Sequence, residues 1–185
     1  MENLTLKQPL FLCGMMGSGK TTVGKTIAER LGVPFSDLDS MIVDEARMSI
    51  PQIFDQKGEK WFRQLEQKIL VQESQIFKGV MALGGGSLQN QQIVDHLKIY
   101  GWLIFLRIPE IVILDRIAGD QNRPMLNNPK ESKEPPGKMI TKLIEQRLPF
   151  YSQAQITIDA GNSSPDLIAD NILKKIKIYD GFSRR

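Results

Sequence analysis

The stretch "GMMGSGKT", Gly14 to Thr21, sets glycines, a lysine and a threonine at the spacing G-x-x-x-x-G-K-[ST]. Glycines at 14, 17 and 19 let the backbone bend so that successive N–H groups converge on an anion, and a helix N-terminus behind them adds positive potential. Lys20 is then placed to reach the β- and γ-phosphates of a nucleotide, and the Thr21 hydroxyl to ligate Mg²⁺. The expected nucleotide contacts are Gly17, Ser18, Gly19, Lys20, Thr21 and Thr22. The alternative is a plain glycine-rich turn, which the apolar run before it and the helical period after it disfavour. Cys13, in the strand beneath, is expected as a small buried hydrophobe.

Phosphate chemistry of this kind usually needs a second acid at a strand end to anchor the metal. "GVMALGGG" ends in glycines and "GWLIFLRIP" in Arg107, so the acids at such a position are Asp37 and Asp39 in "FSDLDS". Strand alternation points both carboxylates to one side. Asp37 is assigned to water-mediated contact with Mg²⁺ and Asp39 to an acceptor hydroxyl. Helix capping by Asp39 before "SMIV" is the structural alternative, compatible with that role. An unperturbed aspartate has a pKa near 4. Asp39 would therefore orient the hydroxyl more than deprotonate it, which suffices for a loose phosphoryl-transfer transition state.

Two further constellations point to a second substrate. "PQIFDQKGEKWFRQLEQ" carries Phe54, Phe62 and Arg63 around a helix start, and "MALGGGSL" sets Gly84, Gly85 and Gly86 after a strand. Three consecutive glycines offer no side chains to pack, so close backbone approach to a ligand is their expected purpose. For Arg63 the structural alternative is an ion pair with Glu59 or Glu66 at helical spacing; both can hold, with Glu66 orienting the arginine from behind.

The elements that must hold these residues follow from periodicity. At 185 residues, 41% hydrophobic and 24% charged, the chain fits a single domain, 1–185, with a full core. Short apolar runs alternate with helical segments: "PLFLCG", "VPFSDLD", "GVMALGG", "GWLIFLRI" and "AQITIDA" are the strands. Helices are expected after Lys20, over a region from Ser40 to about Lys78, in "NQQIVDHLK", from Pro109 to about Ala118, from about Lys138, and from about Pro165, with fraying from Asp180. Buried strands separated by helices argue for an α/β fold with a parallel sheet covered on both faces. In the last helix Ile168, Ile172, Leu173 and Ile176 form the apolar face and Lys174, Lys175 and Lys177 the solvated one.

A single cysteine and a single histidine leave no internal disulfide and no His/Cys metal cluster, which favours a reducing, cytoplasmic home. His96 is expected on an exposed helix face and the methionines in the core. No run reaches membrane-spanning length, and no basic leader opens the chain. The net charge of +3 is dispersed, without the aromatic-studded basic stripe of a nucleic-acid surface, so small anions are the expected ligands. The polar stretch "RPMLNNPKESKEPPGK", Arg123 to Lys138, with Gly119 and Gly137 as hinges and Pro129, Pro135 and Pro136 discouraging helix, is expected to be a lid over about 119–138 that excludes water.

The segments "GMMGSGKTTVG", "DLD", "IFDQKGEKWFRQLE", "LGGGS", "NRPML" and "RLPFY", in order from Gly14 to Tyr151, closely resemble the shikimate kinase family of small P-loop kinases. That resemblance implies a P-loop three-layer fold with a five-stranded parallel sheet of order 2-3-1-4-5 and a mobile lid. It implies transfer of the γ-phosphate of ATP, with Mg²⁺, to the 3-hydroxyl of shikimate. It places Asp39, Arg63, Gly85 and Arg147 on shikimate, Arg123 on the ATP phosphates with a catalytic role beside Lys20 and Asp39, Arg116 beside the adenine, and Phe54 and Phe62 as walls of the ring pocket, within a region of about 40–78. Shikimate and ATP are the expected partners of a monomer, without nucleic acid or membrane. Chemistry agrees, since a small carboxylate bearing hydroxyls calls for guanidinium forks and a hydroxyl-proton acceptor. Ser163 and Ser164 stand where many members carry an arginine near the base. A gluconate kinase would share the phosphate loop and lid but not the arginine after "GEKWF" or the triple glycine; a GTPase would need the guanine-reading N-K-x-D, which "NNPK" does not supply.

Overall fold

The structure, a computed structural model, describes residues 6–118 and 136–182. Five strands form one parallel sheet in the order β2-β3-β1-β4-β5, as the resemblance implies: β1 (Leu10–Cys13), β2 (Phe35–Asp37), β3 (Val80–Ala82), β4 (Trp102–Arg107) and β5 (Ile156–Asp159). β1 is central, with Leu10 opposite both Val80 and Trp102. Its four residues are buried, as are Leu103 to Leu106 in β4, so these strands read as continuous apolar runs because both faces are covered. Helix α1 (Lys20–Leu31) packs on α8 (Pro165–Phe182), and α4 (Glu59–Ile76) on α5 (Gln91–Tyr100).

The turn from β1 into α1 has Gly14, Gly17 and Gly19 at φ 142°, 74° and 88°, a left-handed backbone that other residues rarely adopt. Gly24 then brings α1 against β2: a Cβ there would stand 2.6 Å from the Phe35 ring. This close approach seats the carboxyl end of β2 beside the first turn of α1.

The helical region after β2 resolves into three helices, α2 (Leu38–Ala46), α3 (Ile50–Lys57) and α4. Arg47 in the left-handed conformation, φ 53°, ends α2, and Gly58 at φ 82° and ψ 164° turns the chain from α3 into α4. A reciprocal cap between Ser49 and Gln52 starts α3. These breaks fold one long apolar period back on itself, which brings the Phe54 and Phe62 rings into tilted contact.

Helix α6 (Glu110–Ala118) packs on α7 (Pro136–Tyr151). Gly137 therefore lies in the first turn of a helix instead of acting as a hinge. Pro136 does not prevent that helix, because a proline at its first position loses no intrahelical bond. The rest of the expected lid, with Arg123, lies outside the described residues.

Helix α8 continues to Phe182, past the expected start of fraying at Asp180, and buries Ile168, Ile172 and Ile176 as its periodicity requires. His96 corrects the sequence-based placement: it is half-buried, 2.8 Å from the Ser74 hydroxyl and in tilted ring contact with Tyr100, so it joins α5 to α4. No described helix is long and apolar enough to cross a membrane.

Candidate active site

Lys20 folds back over the phosphate loop, its Nζ donating to the carbonyls of Gly14 at 2.9 Å and Met15 at 3.0 Å. Ser18 is buried beside it with no hydrogen-bond partner for its hydroxyl among the described residues. An orphaned buried hydroxyl costs about 1–3 kcal/mol, so a glycine-shaped loop holding one is matched to a ligand rich in acceptor oxygens. Thr22 is exposed on the first turn of α1, beside Thr21. Arg116, near the end of α6, donates to the carbonyl of Gly17 at 2.7 Å and to that of Gly161 at 2.9 Å. It thereby ties the loop to the turn before α8, alongside Ser163 and Ser164. Cys13, fully buried under the loop, has its thiol pushed up to about 12 by burial, so it is an inert hydrophobe as its position in β1 suggests.

The Thr21 hydroxyl donates to Asp37 Oδ2 at 2.8 Å, so the two expected metal residues meet. Two hard oxygen groups at one edge fit a magnesium ion that keeps most of its waters. Among the described residues no cluster of three His, Cys, Asp or Glu side chains could hold a metal without water or phosphate.

The cap of α2 falls to Asp37, not to Asp39. Strand β2 ends at Asp37, whose Oδ1 accepts from the Asp39 N–H at 3.1 Å and caps α2. Asp39 lies in the first turn of that helix, so helical geometry, not strand alternation, brings it to the site. Its carboxylate reaches the glycine turn, with Oδ1 2.8 Å from where a Cβ on Gly84 would stand. Burial, then the charges of Asp37 and Glu66, raise the Asp39 pKa to about 6, outweighing the opposing pull of Lys20 and Arg63. The value near 4 expected of an unperturbed aspartate is thus corrected, and Asp39 is a better proton acceptor than its type suggests.

Each glycine of the turn faces a different charged side chain. A Cβ on Gly84 would meet Asp39, one on Gly85 would lie 3.5 Å from Arg147, and one on Gly86 would lie 2.6 Å from Arg63. Arg63 donates to Glu66 at 2.7 Å and reaches Glu59 at 3.4 Å. Glu66 is 3% exposed and also accepts from the Ser87 hydroxyl at 2.7 Å, so its carboxylate joins the turn to the guanidinium. Phe54 and Phe62 meet with ring centroids 4.9 Å apart, and Arg63 lies 5.0 Å over the Phe62 ring.

Arg147 is 3% exposed, makes no ion pair among the described residues, and leaves its Nε without a partner there. A buried cation without an anion is costly, which marks the place where an acidic ligand group would be held. Sequence reasoning missed Ser87 and Tyr151. The available signals were the serine directly after the glycines and the tyrosine four residues beyond Arg147 on one helix face.

A family model described as shikimate kinase matches residues 16–177. A shikimate kinase of Sulfurihydrogenibium is 40% identical over 172 residues, covering 91% of this chain and 97% of that relative. The solved shikimate kinase from Acinetobacter baumannii, in complex with shikimate, superposes with a TM-score of 0.85 at 34% identity, covering 93% of this chain and 94% of that one. A gluconokinase from Sinorhizobium meliloti, at 16% identity and a TM-score of 0.62, shares the fold alone. With the match spanning phosphate loop, glycine turn and last helix alike, this chain belongs to the shikimate kinase family.

Proposed function

We propose that this enzyme transfers the γ-phosphate of ATP to the 3-hydroxyl of shikimate. One observation carries the acceptor assignment: a buried Arg147, without an ion pair among the described residues, and a forked Arg63 flank a glycine turn beside an aspartate of raised pKa. Two guanidinium groups suit one carboxylate, and a half-buried aspartate suits a neighbouring hydroxyl. Phe54 and Phe62 wall the ring, and the backbone of Gly84, Gly85 and Gly86 lets the acceptor approach closely.

On the donor side Gly17, Ser18, Gly19, Lys20, Thr21 and Thr22 hold the phosphates, Arg116 lies beside the adenine, and Arg123 contributes a further charge to the phosphates. Thr21 and, through water, Asp37 would hold Mg²⁺, which when bound neutralises charge on the phosphate oxygens. Asp39 orients the acceptor hydroxyl toward the γ-phosphate and takes its proton as transfer completes. Lys20 stays with the transferring group, so charge is balanced along the path. The enzyme acts as a monomer in the cytoplasm, without nucleic acid or membrane as partner.

The test is ADP release from ATP with shikimate, with gluconate, and with no acceptor. Stimulation by shikimate alone is the expected result; equal rates in all three contradict the proposal.

A further inference from the structure

Tyr151 ends α7, one helical turn beyond Arg147, and is 2% exposed. Its hydroxyl donates to the carbonyl of Gly85, and its ring lies against Phe105 at 5.1 Å. The Tyr151 hydroxyl and Arg147 Nη1 each approach Met15 Sδ at 4.0 Å, so phenol, guanidinium and phosphate loop converge behind the glycine turn. Burial pushes the phenol well above its ordinary pKa, which keeps it a hydrogen-bond donor across any working pH.

Resting on the shikimate assignment above, we propose that Tyr151 is a positioning residue for the acceptor's carboxylate, acting through the Gly85 carbonyl. Three consecutive glycines are the most freely rotating backbone a chain can offer, and a turn that must present N–H groups to an anion needs an external restraint. In a trans peptide the carbonyl of one residue and the N–H of the next point in opposite directions. Anchoring the Gly85 carbonyl toward α7 therefore turns the Gly86 N–H away from α7, at a residue whose Cα lies close to the Arg63 guanidinium. Because Tyr151 and Arg147 share one face of α7, the same helix sets both the buried cation and the peptide plane it works beside.

The measurement is the dissociation constant of shikimate, and separately of ATP, for the wild type, Tyr151→Phe and Phe105→Leu. Tyr151→Phe keeps the ring and removes only the donor, so shikimate should bind about tenfold more weakly while ATP changes by less than about twofold. Phe105→Leu loosens the ring's packing and keeps the hydroxyl; it should lower the melting temperature without separating the two ligands. Shikimate methyl ester, with its acid masked, should bind wild type and Tyr151→Phe within about twofold of each other. Unchanged shikimate binding in Tyr151→Phe, an equal loss with the ester, or the same selective loss in Phe105→Leu overturns the proposal. Wild-type enzyme that binds shikimate without phosphorylating it breaks the assigned reaction and leaves the role of Tyr151 standing; wild type that binds no shikimate overturns both.

Discussion

Asp39 shows how a single side chain ties activity to stability. Its pKa is 3.8 unfolded and about 6 folded, so its ionised form is disfavoured by the fold. Above about pH 6 the native state carries that cost; between pH 6 and 4 it takes up a proton that the unfolded chain does not, and the cost is relieved. Asp39→Asn should therefore raise stability near pH 7.5 by about 1–2 kcal/mol, a figure kept below the bare shift because the carboxylate is not fully buried and solvent screens part of the effect. Urea unfolding should show this gain vanish as pH falls below about 4, whereas an equal gain at all pH values would argue against the carboxylate's charge as its origin. For the same reason wild-type kcat/KM for shikimate should decline as pH falls through about 6. Arg63→Ala should cost about 2–5 kcal/mol of acceptor use, tens- to thousands-fold in kcat/KM, with ATP affinity nearly intact. A loss below about fivefold would reduce Arg63 to its ion pairs with Glu59 and Glu66.

Among the elements, the glycine turn is where a single methyl group should do most damage. In Gly86→Ala the new Cβ would press on the Arg63 guanidinium, the far end of a flexible side chain, so the fold should yield there instead of breaking. KM for shikimate should rise about tenfold or more with a nearly unchanged melting temperature. Gly24→Ala is the contrasting case: its Cβ would press on the Phe35 ring and on Leu12 between α1 and β2. Overpacking there should cost about 1–3 kcal/mol, read as a lower urea midpoint. The phosphate loop and the five strands were legible in the sequence because both impose local patterns, glycines at fixed spacing and short apolar runs. The helix breaks at Arg47 and Gly58 were not, because apolar period continues across them. Starting α2 at Leu38 instead of Ser40 was enough to move the cap from Asp39 to Asp37. The braces on the turn were illegible for another reason: Tyr151 and Gly85 are 66 positions apart, Ser87 and Glu66 21 apart, and only the folded chain brings them together.

For the molecule as a whole, ligands that bind only the native state must stabilise it. With shikimate and Mg-ATP analogue each at about a hundred times their dissociation constants, each contributes about 2.7 kcal/mol. That corresponds to a rise in melting temperature of about 5–10 °C for each ligand in a chain of this size. A calorimetric melt checks it, and shikimate that leaves the transition unmoved would place the acceptor elsewhere. The central claim, transfer of phosphate to the 3-hydroxyl of shikimate, is tested most directly by phosphorus and proton NMR of the product formed from ATP and shikimate. A phosphate coupled to the proton on carbon 3, matched by stoichiometric ADP, is the predicted result. Inorganic phosphate alone, or phosphate on another hydroxyl, would contradict it.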